Sequence, residues 1–191
     1  MEQRYDAIIV GAGPAGMFAS LELINKNPTL KVALFDMGSR IENRNGNEIM
    51  SGFGGAGTYS DGKLHFTPKL SHERTFHLIK PEDYQQILNE IDETFMFFGV
   101  TSEEYPKNRH DVEMMIDEAQ RQDIELIVRR TKHVGSDNLK IVMKKFQDEL
   151  ENKGVLLFDN TEVEDIFVEN SKVTGIKTKK GDYYADKILI A

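Results

Sequence analysis

Cysteine is absent from all 191 residues of the sequence. This absence excludes disulfide bonds, thiolate metal sites, a cysteine nucleophile and a dithiol redox pair within the chain. Chemistry in these residues therefore has to come from other side chains, from the main chain or from a bound cofactor.

Long apolar runs and clusters of basic residues are also lacking. No stretch of about 18 apolar residues is present, so we predict no membrane span. The N-terminus has no positively charged region followed by an apolar stretch and a cleavage site, which argues against a secretory signal and makes the cytoplasm the expected location. The 32 acidic residues outnumber the 24 basic ones and give a net charge of −8. Because nucleic-acid binding needs a clustered basic surface, we expect no nucleic-acid partner.

The beginning of the chain follows a strand, turn, helix, strand pattern. Ala7–Val10 is a continuous apolar run, typical of a parallel strand buried on both faces. A helix is predicted from Pro14 to a point before Pro28, because the residue that precedes proline disfavours helix. The segment 31–35 then predicts a second strand, which ends at Asp36.

The turn between the first strand and the helix matches the pattern G-x-G-x-x-G at Gly11, Gly13 and Gly16. Gly11 permits a tight turn, Gly13 allows a diphosphate to approach the main chain, and Gly16 lets the helix pack close to the sheet. The first helical turn offers unpaired N–H groups and the positive end of the helix dipole to phosphates. Since glycine-rich turns also occur without a ligand, the motif alone does not exclude a purely structural turn.

Asp36 supplies the context that favours a dinucleotide. It lies twenty residues after Gly16, at the end of the second predicted strand. A carboxylate at this place accepts hydrogen bonds from a ribose diol and repels a 2′-phosphate. The expected ligand is therefore FAD or NAD rather than NADP.

The rest of the chain predicts an α/β fold with an insertion. Apolar residues at helical spacing predict helices around 84–98, 112–119 and 139–150, and a strand at 124–128. Another strand is predicted at 155–158, then a three-stranded β-meander near 162–169, 172–178 and 183–186, and a final buried strand at 187–191. We predict a Rossmann-like FAD/NAD(P)-binding domain with a parallel sheet over 1–65 and 134–191, interrupted by a mostly helical insertion at 66–133. Because the chain ends on a strand that no helix covers, we expect that a C-terminal part of the same protein is missing and is needed.

Three stretches resemble the two-dinucleotide-binding flavoproteins of the glutathione-reductase-like fold, and more closely a bacterial family of FAD-dependent dehydrogenases. The first stretch is Val10–Gly16 together with Phe35–Gly38 and Arg40. The second, Gly54–Leu64, is similar to a signature loop of that family. The third runs from His133–Asp137 through the later strands to Ala191. The meander also favours this class, because the plain NAD-binding fold more often has a crossover helix there.

This resemblance implies FAD as the cofactor, with NAD(P)H as a candidate electron donor and a small-molecule substrate. It also implies that the main chain at Val163 borders the adenine, and that the glycine-rich loop Gly54–Leu64 approaches the flavin end of the cofactor. The cofactor-binding residues that the turn and the resemblance predict are Gly11, Gly13, Pro14, Ala15, Gly16, Asp36, Met37, Arg40, Gly54, Gly55, Ala56, Gly57, Ser60, Asp61, Gly62, Lys63 and Val163.

The catalytic residues are not determined by the sequence. Lys63 would stabilise a reduced anionic flavin if it reached the N1–C2 edge of the ring, and Asp61 and His65 are the nearest groups able to move protons. A solvated lysine and a structural histidine are the alternative interpretations. No residue cluster has metal-ligand spacing. The expected function is that of an FAD-dependent oxidoreductase, with an NAD-dependent dehydrogenase or a non-catalytic flavin-binding fragment as alternatives.

Overall fold

The structure is a computed structural model that describes residues 3–67 and 79–191. Residues 68–78 of the predicted insertion lie outside the described part. The chain divides into two compact units. The first unit contains the residues up to Ser60 together with Ser136–Ala191, and the second contains Asp61–Gly135.

The chain starts in the first unit, passes through the second and then returns to the first. The first unit begins with β1 (Gln3–Tyr5), β2 (Ala7–Val10), α1 (Pro14–Lys26) and β3 (Val32–Phe35). The second unit has β4 (Lys63–His65), α2 (Pro81–Phe97), β5 (Glu104–Tyr105), α3 (Arg109–Gln120) and β6 (Thr131–His133). The first unit then continues with α4 (Ser136–Asn152), β7 (Leu156–Phe158), β8 (Val163–Glu169), β9 (Lys172–Thr178), β10 (Gly181–Ala185) and β11 (Ile188–Ile190).

A parallel sheet with strand order β11-β2-β3-β7 forms the centre of the first unit. Its two middle strands are built from short apolar runs, and Ile8, Ile9, Ala33 and Leu34 are fully buried. Alternating side chains point to opposite faces of the sheet, so a strand without polar residues needs a layer on each side. Helices cover one face and a second sheet covers the other.

The helical layer consists of α1 and α4. The predicted apolar stripe of α4 is buried as expected: Leu139, Val142, Met143, Phe146 and Leu150. The ring of Phe146 meets that of Phe18 on α1 edge-on, with centroids 5.0 Å apart. The stripe repeats at helical spacing because one face of α4 packs against the core while the other meets solvent.

The second layer is an antiparallel meander that extends the prediction by one strand. The order is β1-β10-β9-β8, and β1, which we did not predict, pairs in parallel with β10. The meander packs on the parallel sheet through aromatic rings. Phe35 and Phe158 stack with centroids 4.4 Å apart, and Tyr183 of β10 lies edge-on to both rings.

The second unit combines two helices with a small antiparallel sheet of order β4-β6-β5. The sequence indicated the helices but not this sheet, since strands of two or three residues are too short to show alternation. Asn108 accepts a hydrogen bond from the main-chain N–H of His110 and so caps α3. The ammonium of Lys132, nearly buried, lies 2.6 Å from a carboxylate oxygen of Asp92 on α2 and so links the sheet to that helix.

Three expectations about burial and strands were wrong. The predicted strand at 124–128 is irregular and exposed, because the pairing partners are taken by Thr131–His133 instead. The cluster of Phe95, Phe97 and Phe98 in the sequence predicts three core residues, but Phe97 is 77% exposed. It lies about 200° around the helix from Phe95, on the opposite face. The final strand β11 is not buried, since it pairs with β2 alone and Ile190 is 60% exposed.

Crossing a membrane requires a helix that is both long and apolar. None of the helices in residues 3–67 and 79–191 combines the two properties to the extent needed.

Replacing Gly16 by Ala tests the close packing of α1 on the sheet. A Cβ at this position would lie 1.9 Å from the carbonyl oxygen of Gly11. Replacement of glycine by alanine inside a helix normally stabilises the folded protein by about 1 kcal/mol, whereas overpacking of a core destabilises it by about 1–3 kcal/mol or more. We therefore expect Gly16→Ala to lower the free energy of unfolding, measured by urea denaturation, by about 2 kcal/mol.

Gly46→Ala is the matched control, because a Cβ there would have no other atom within 4 Å. Its free energy of unfolding should stay within about 0.5 kcal/mol of the unchanged protein. A Gly16→Ala protein as stable as this control would contradict the packing described for α1.

Candidate functional site

A cavity of about 400 Å³ lies in the first unit at the carboxyl edge of the parallel sheet. The strands β2, β3 and β11 end at this edge, and the chain that leaves each of them contributes to the wall. The cavity is lined by Val10, Gly11, Gly13, Phe35, Asp36, Met37, Met50, Ser51, Gly52, Gly55, Thr161, Glu162, Val163, Ile190 and Ala191.

The position of the cavity in the sheet is the one that ligands favour in this kind of fold. From β2 the chain proceeds to β3 on one side and later to β7 beyond it, whereas β11 pairs on the other side of β2. The strand order therefore reverses at β2. In open α/β sheets, ligands bind outside the carboxyl ends of the strands at such a reversal.

The glycine turn forms the floor of the cavity, and its glycines are required for different reasons. Gly11 has a φ of +105°, and a Cβ there would lie 2.3 Å from the carbonyl oxygen of Ala191. Gly16, as described above, is required by its contact with Gly11. At Gly13, in contrast, the nearest atom to a Cβ would be the Cα of Gly55 at 3.9 Å. The folded chain leaves room for a Cβ at Gly13, so packing within the chain does not require glycine at this position.

The N-terminus of α1 opens from the same turn. Gly13 is the N-cap residue, has an extended conformation and supplies no side-chain hydrogen bond to the helix. The main-chain N–H groups of the first turn of a helix have no acceptor inside that helix. The N–H groups of Ala15 and Gly16 are thus suited to an anion, which the helix dipole also favours.

Asp36 follows β3 and binds three segments of main chain at once. Its Oδ2 accepts a hydrogen bond from Ala12 N at 2.8 Å. Its Oδ1 accepts from Gly38 N at 2.8 Å and from Gly52 N at 2.7 Å. One carboxylate therefore joins the glycine turn, its own loop and a second loop.

This carboxylate keeps a further capacity to accept a hydrogen bond. A carboxylate has about four lone-pair positions, and the three amides of Ala12, Gly38 and Gly52 occupy three of them. The remaining position is on Oδ2, the oxygen that holds the glycine turn. Asp36 lines the cavity, so its Oδ2 can accept one hydrogen bond from a hydroxyl group inside the cavity.

The second loop, which continues from Gly52, packs directly against the glycine turn. Gly54 N donates to Ala12 O at 2.8 Å. A Cβ on Gly55, which has a φ of +70°, would lie 2.9 Å from Pro14 Cδ and 3.2 Å from Gly13 Cα. A short 3-10 helix at Ala56–Tyr59 then ends the loop. The two glycine-rich segments thus touch through a main-chain hydrogen bond and through the close approach of Gly55 to Gly13 and Pro14.

Arg44 holds this second loop and was not among the predicted residues. It is a nearly buried side chain that donates from Nη1 to Phe53 O at 2.7 Å and to Gly55 O at 2.9 Å. Burial lowers the pKa of its guanidinium from the ordinary value, with Tyr59, Asp36 and Glu48 acting in the opposite direction. No local pattern in the sequence distinguishes it, because its partners are main-chain carbonyls.

The predicted cofactor-binding residues separate into those that line the cavity and those that do not. The residues that line it are Gly11, Gly13, Asp36, Met37, Gly55 and Val163. Pro14, Ala15, Gly16, Gly54, Ala56, Gly57 and Ser60 belong to the two loops or to α1 without lining it. Arg40 also lies elsewhere, with ion pairs to Glu151 and Asp159 that raise its pKa against the opposing effect of burial.

Asp61, Gly62, Lys63 and His65 belong to the second unit. Lys63 Nζ lies 2.9 Å from Asp61 Oδ2, and this hydrogen bond lowers the pKa of the Asp61 carboxyl. His65 Nδ1 lies 2.9 Å from Thr131 Oγ1. Pairing of β4 with β6 places His133 opposite Lys63, and His133 Nε2 lies 3.1 Å from Asp61 O.

A metal site of the usual kind needs several His, Asp or Glu side chains in one place. In the part of the chain that the structure describes, no three such side chains converge in a suitable arrangement.

Several lining residues were missed by sequence reasoning. Four of them lie in or next to strands of the parallel sheet, namely Val10, Phe35, Ile190 and Ala191, and five lie in loops, namely Met50, Ser51, Gly52, Thr161 and Glu162. Gly52 could have been found, since it begins the glycine-rich stretch that continues to Gly57. The other four loop residues carry no pattern of their own and reach the cavity only because their loops return to the carboxyl edge of the sheet.

A scan against protein-family models and a search of curated proteins found no match to this sequence. Solved structures do share its fold. The L-amino acid deaminase from Proteus vulgaris has a TM-score of 0.57 at 13% identity, over 100% of this chain and 48% of that one. Glycine oxidase from Bacillus cereus has a TM-score of 0.56 at 19% identity, over 98% of this chain and 55% of that one.

A third structure, the quinol fumarate reductase from E. coli, has a TM-score of 0.62 at 15% identity, over 100% of this chain and 33% of that one. The chain thus spans between a third and just over half of the length of these proteins. At this level of identity the comparison establishes a shared fold, a mixed α/β arrangement with a parallel and an antiparallel sheet.

Substitutions at Asp36 test whether its carboxylate joins the loops. A hydrogen bond to a charged group contributes about 1.5–3 kcal/mol. Asp36→Ala removes both acceptor oxygens and with them three hydrogen bonds, so we expect the free energy of unfolding to fall by at least about 3 kcal/mol. Asp36→Asn keeps one oxygen that can accept from Gly38 N and Gly52 N, but it places an NH2 group opposite Ala12 N. Its free energy of unfolding should therefore fall by about 1–2 kcal/mol.

Asp6→Ala provides the comparison for urea denaturation of these variants. Asp6 is an exposed carboxylate that accepts a single main-chain N–H, that of Lys31 at 2.7 Å. If Asp36→Ala were no more destabilising than Asp6→Ala, the joining role of Asp36 would be refuted.

Proposed function

We propose that the first unit binds the ADP half of FAD in the cavity at the carboxyl edge, and that the chain is part of an FAD-dependent oxidoreductase. The observation that supports this most strongly is the combination of an uncapped helix N-terminus, an open position at Gly13 and a carboxylate with one free acceptor site around one cavity. A diphosphate linked to a ribose has the complementary groups.

The residues present fit such a ligand. The diphosphate would lie over Gly13 and accept hydrogen bonds from the N–H groups of Ala15 and Gly16 at the positive end of α1. A ribose hydroxyl would donate to Oδ2 of Asp36. The cavity of about 400 Å³ falls within the range of about 300–1,000 Å³ usual for small-molecule sites. The main chain at Val163, which lines the cavity, would border the adenine.

The choice of FAD over NAD rests on features of the chain other than the residues that would bind the ADP half. The meander β8–β10 and the resemblance of Gly54–Leu64 to a signature loop of FAD-dependent dehydrogenases both favour a flavoprotein. The proteins of shared fold are named as a deaminase, an oxidase and a reductase. These names agree with redox chemistry but differ in substrate, so we assign only a small-molecule substrate to this chain.

An NAD-dependent dehydrogenase is the second candidate. Its cofactor carries the same adenosine diphosphate group, and Asp36 would accept its ribose hydroxyl equally well. The site therefore distinguishes both ligands from NADP but not from each other. Chemical identification of the bound nucleotide separates the two candidates.

The chemistry of the reaction would come from the cofactor. Bound FAD would supply a hydride acceptor at its N5, with NAD(P)H as a candidate donor. Within the chain, the glycine turn and Asp36 would orient the nucleotide. Lys63, Asp61 and His65 remain the candidate catalytic residues: Lys63 would stabilise negative charge on a reduced flavin, and Asp61 and His65 would move protons.

The visible absorption spectrum of the purified protein tests this proposal. After incubation with equal concentrations of FAD and NAD and removal of the excess, we expect the protein to retain flavin absorption, and the nucleotide released on denaturation to be FAD. Gly13→Ala should still fold, since its Cβ has space, with a loss of at most about 1 kcal/mol because alanine is a poorer N-cap than glycine. It should bind FAD at least about tenfold more weakly, equivalent to about 1.4 kcal/mol.

Gly46→Ala serves again as the control and should bind FAD as the unchanged protein does. Recovery of NAD in place of FAD would select the second candidate. A folded protein that retains neither nucleotide would refute the proposed site, and equal FAD affinity of the Gly13→Ala protein would refute the place assigned to the diphosphate.

A further inference from the structure

Arg44 is the most heavily engaged side chain near the cavity. Only 7% of the residue is exposed. Nη1 donates to Phe53 O, Gly55 O and Thr58 Oγ1, at 2.7, 2.9 and 2.8 Å. Nη2 donates to Glu48 O at 2.7 Å and to Ile49 O at 3.2 Å. All five hydrogen bonds of the guanidinium are made to neutral acceptors, four of them main-chain carbonyls.

This arrangement is costly for the folded protein. Burial of a charge without a hydrogen-bonded counter-charge is unfavourable, and burial is the largest influence on the pKa of Arg44, which is lowered. The ring of Tyr59, 4.6 Å from the guanidinium carbon, offers a further weak attraction. A neutral side chain would avoid this cost, so the guanidinium has to provide an arrangement of donors that a neutral side chain lacks.

The acceptors of Arg44 lie on both sides of the segment that forms the cavity wall. Glu48 and Ile49 precede Met50, Ser51 and Gly52, which line the cavity, and Phe53 follows them. Arg44 therefore fixes both ends of this segment. It does so from behind, because Arg44 itself does not line the cavity.

The same side chain also sets the contact between the two loops. Gly55 O accepts from Arg44, and Gly55 is the residue whose Cα lies against Gly13. Thr58 Oγ1 accepts from Arg44 and donates to Gly55 O at 2.8 Å. The position of Gly55, and with it the opening above Gly13, depends on this group of hydrogen bonds.

We propose that Arg44 is a positioning residue of the cofactor site, which holds Glu48–Thr58 in the conformation that forms the cavity wall before the nucleotide binds. This inference rests on the proposed function in so far as it concerns FAD. Arg44 acts through the main chain and not by contact with the cofactor. Its effect depends on the planar fork of donors, which a lysine ammonium does not reproduce.

Two measurements on the variants Arg44→Lys and Arg44→Met test this role. The first is hydrogen exchange of the main-chain amides in the nucleotide-free protein. The amides of Gly52, Phe53, Gly54, Gly55 and Thr58 are all hydrogen-bonded. We expect them to exchange at least tenfold faster in both variants, whereas the amides of β2 and β3 keep their protection.

The second measurement is the dissociation constant for FAD, followed by quenching of flavin fluorescence. We expect both variants to bind FAD about tenfold to a hundredfold more weakly, equivalent to about 1.4–2.8 kcal/mol. Arg44→Lys should bind FAD at most threefold more tightly than Arg44→Met does. Arg4→Met is the matched control, because it removes one positive charge from an exposed side chain of the first unit that pairs with Asp186.

The outcomes separate this inference from the proposed function. Full recovery of FAD affinity by Arg44→Lys, or variants that bind FAD as the unchanged protein does, would overturn the positioning role while leaving the FAD site intact. If the unchanged protein bound no FAD, the proposed function would fail, and the amide exchange would still show whether Arg44 holds the loop.

Thr58→Val covers the case in which the Arg44 variants do not fold. It removes one acceptor of Arg44 and the hydrogen bond to Gly55 O while keeping the shape of the side chain. A threefold to tenfold loss of FAD affinity with faster exchange at Gly55 would support the role of Arg44. Unchanged affinity and unchanged exchange would overturn it.

Discussion

The carboxylate of Asp36 is the interaction on which the site depends. Three main-chain N–H groups from separate parts of the first unit meet it, those of Ala12, Gly38 and Gly52. Hydrogen bonds to an ionised acceptor are shorter and stronger than those between neutral groups. The end of β3, the glycine turn and the second loop are thereby fixed against one another, and the cavity exists because these three segments keep their distances.

Asp36 and Arg44 complement each other in the way they order this part of the chain. The negative side chain binds N–H groups of the loops, and the positive side chain binds carbonyl groups. Buried main-chain polar groups need partners, and an irregular loop cannot obtain them from a helix or a sheet. Main-chain groups such as Ala12 O, which accepts from Gly54 N, supply part of these partners, and the two charged side chains supply others. Together they explain how a stretch as rich in glycine as Ser51–Gly57 can form a defined wall.

The features predicted correctly from the sequence are those with a local physical signature. The apolar run of β2, the glycine turn and the stripe of α4 each follow from residue spacing over one or two elements. The predicted place of Asp36 at the end of β3 rests on the same kind of signal. These features depend on contacts near in sequence, or on a burial pattern that repeats.

The features that were missed depend on contacts between residues distant in sequence. The strand β6 exists because β4 and β5 supply hydrogen-bond partners, and its three residues carry no alternating pattern. Arg44 looks like any surface arginine in the sequence, and only the return of the loop places carbonyls around it. Glu162 and Thr161 line the cavity because β7 ends beside β3, a pairing that spans more than a hundred residues.

The most direct test of the central claim is a titration of the protein with ADP, observed by nuclear magnetic resonance of the protein labelled with ¹⁵N-glycine. ADP is the group shared by FAD and NAD. The account predicts chemical-shift changes at Gly11, Gly13, Gly52 and Gly55, which line the cavity, and none at Gly154 or Gly181, which do not. Changes spread evenly over all glycines, or no change at saturating ADP, would contradict the account.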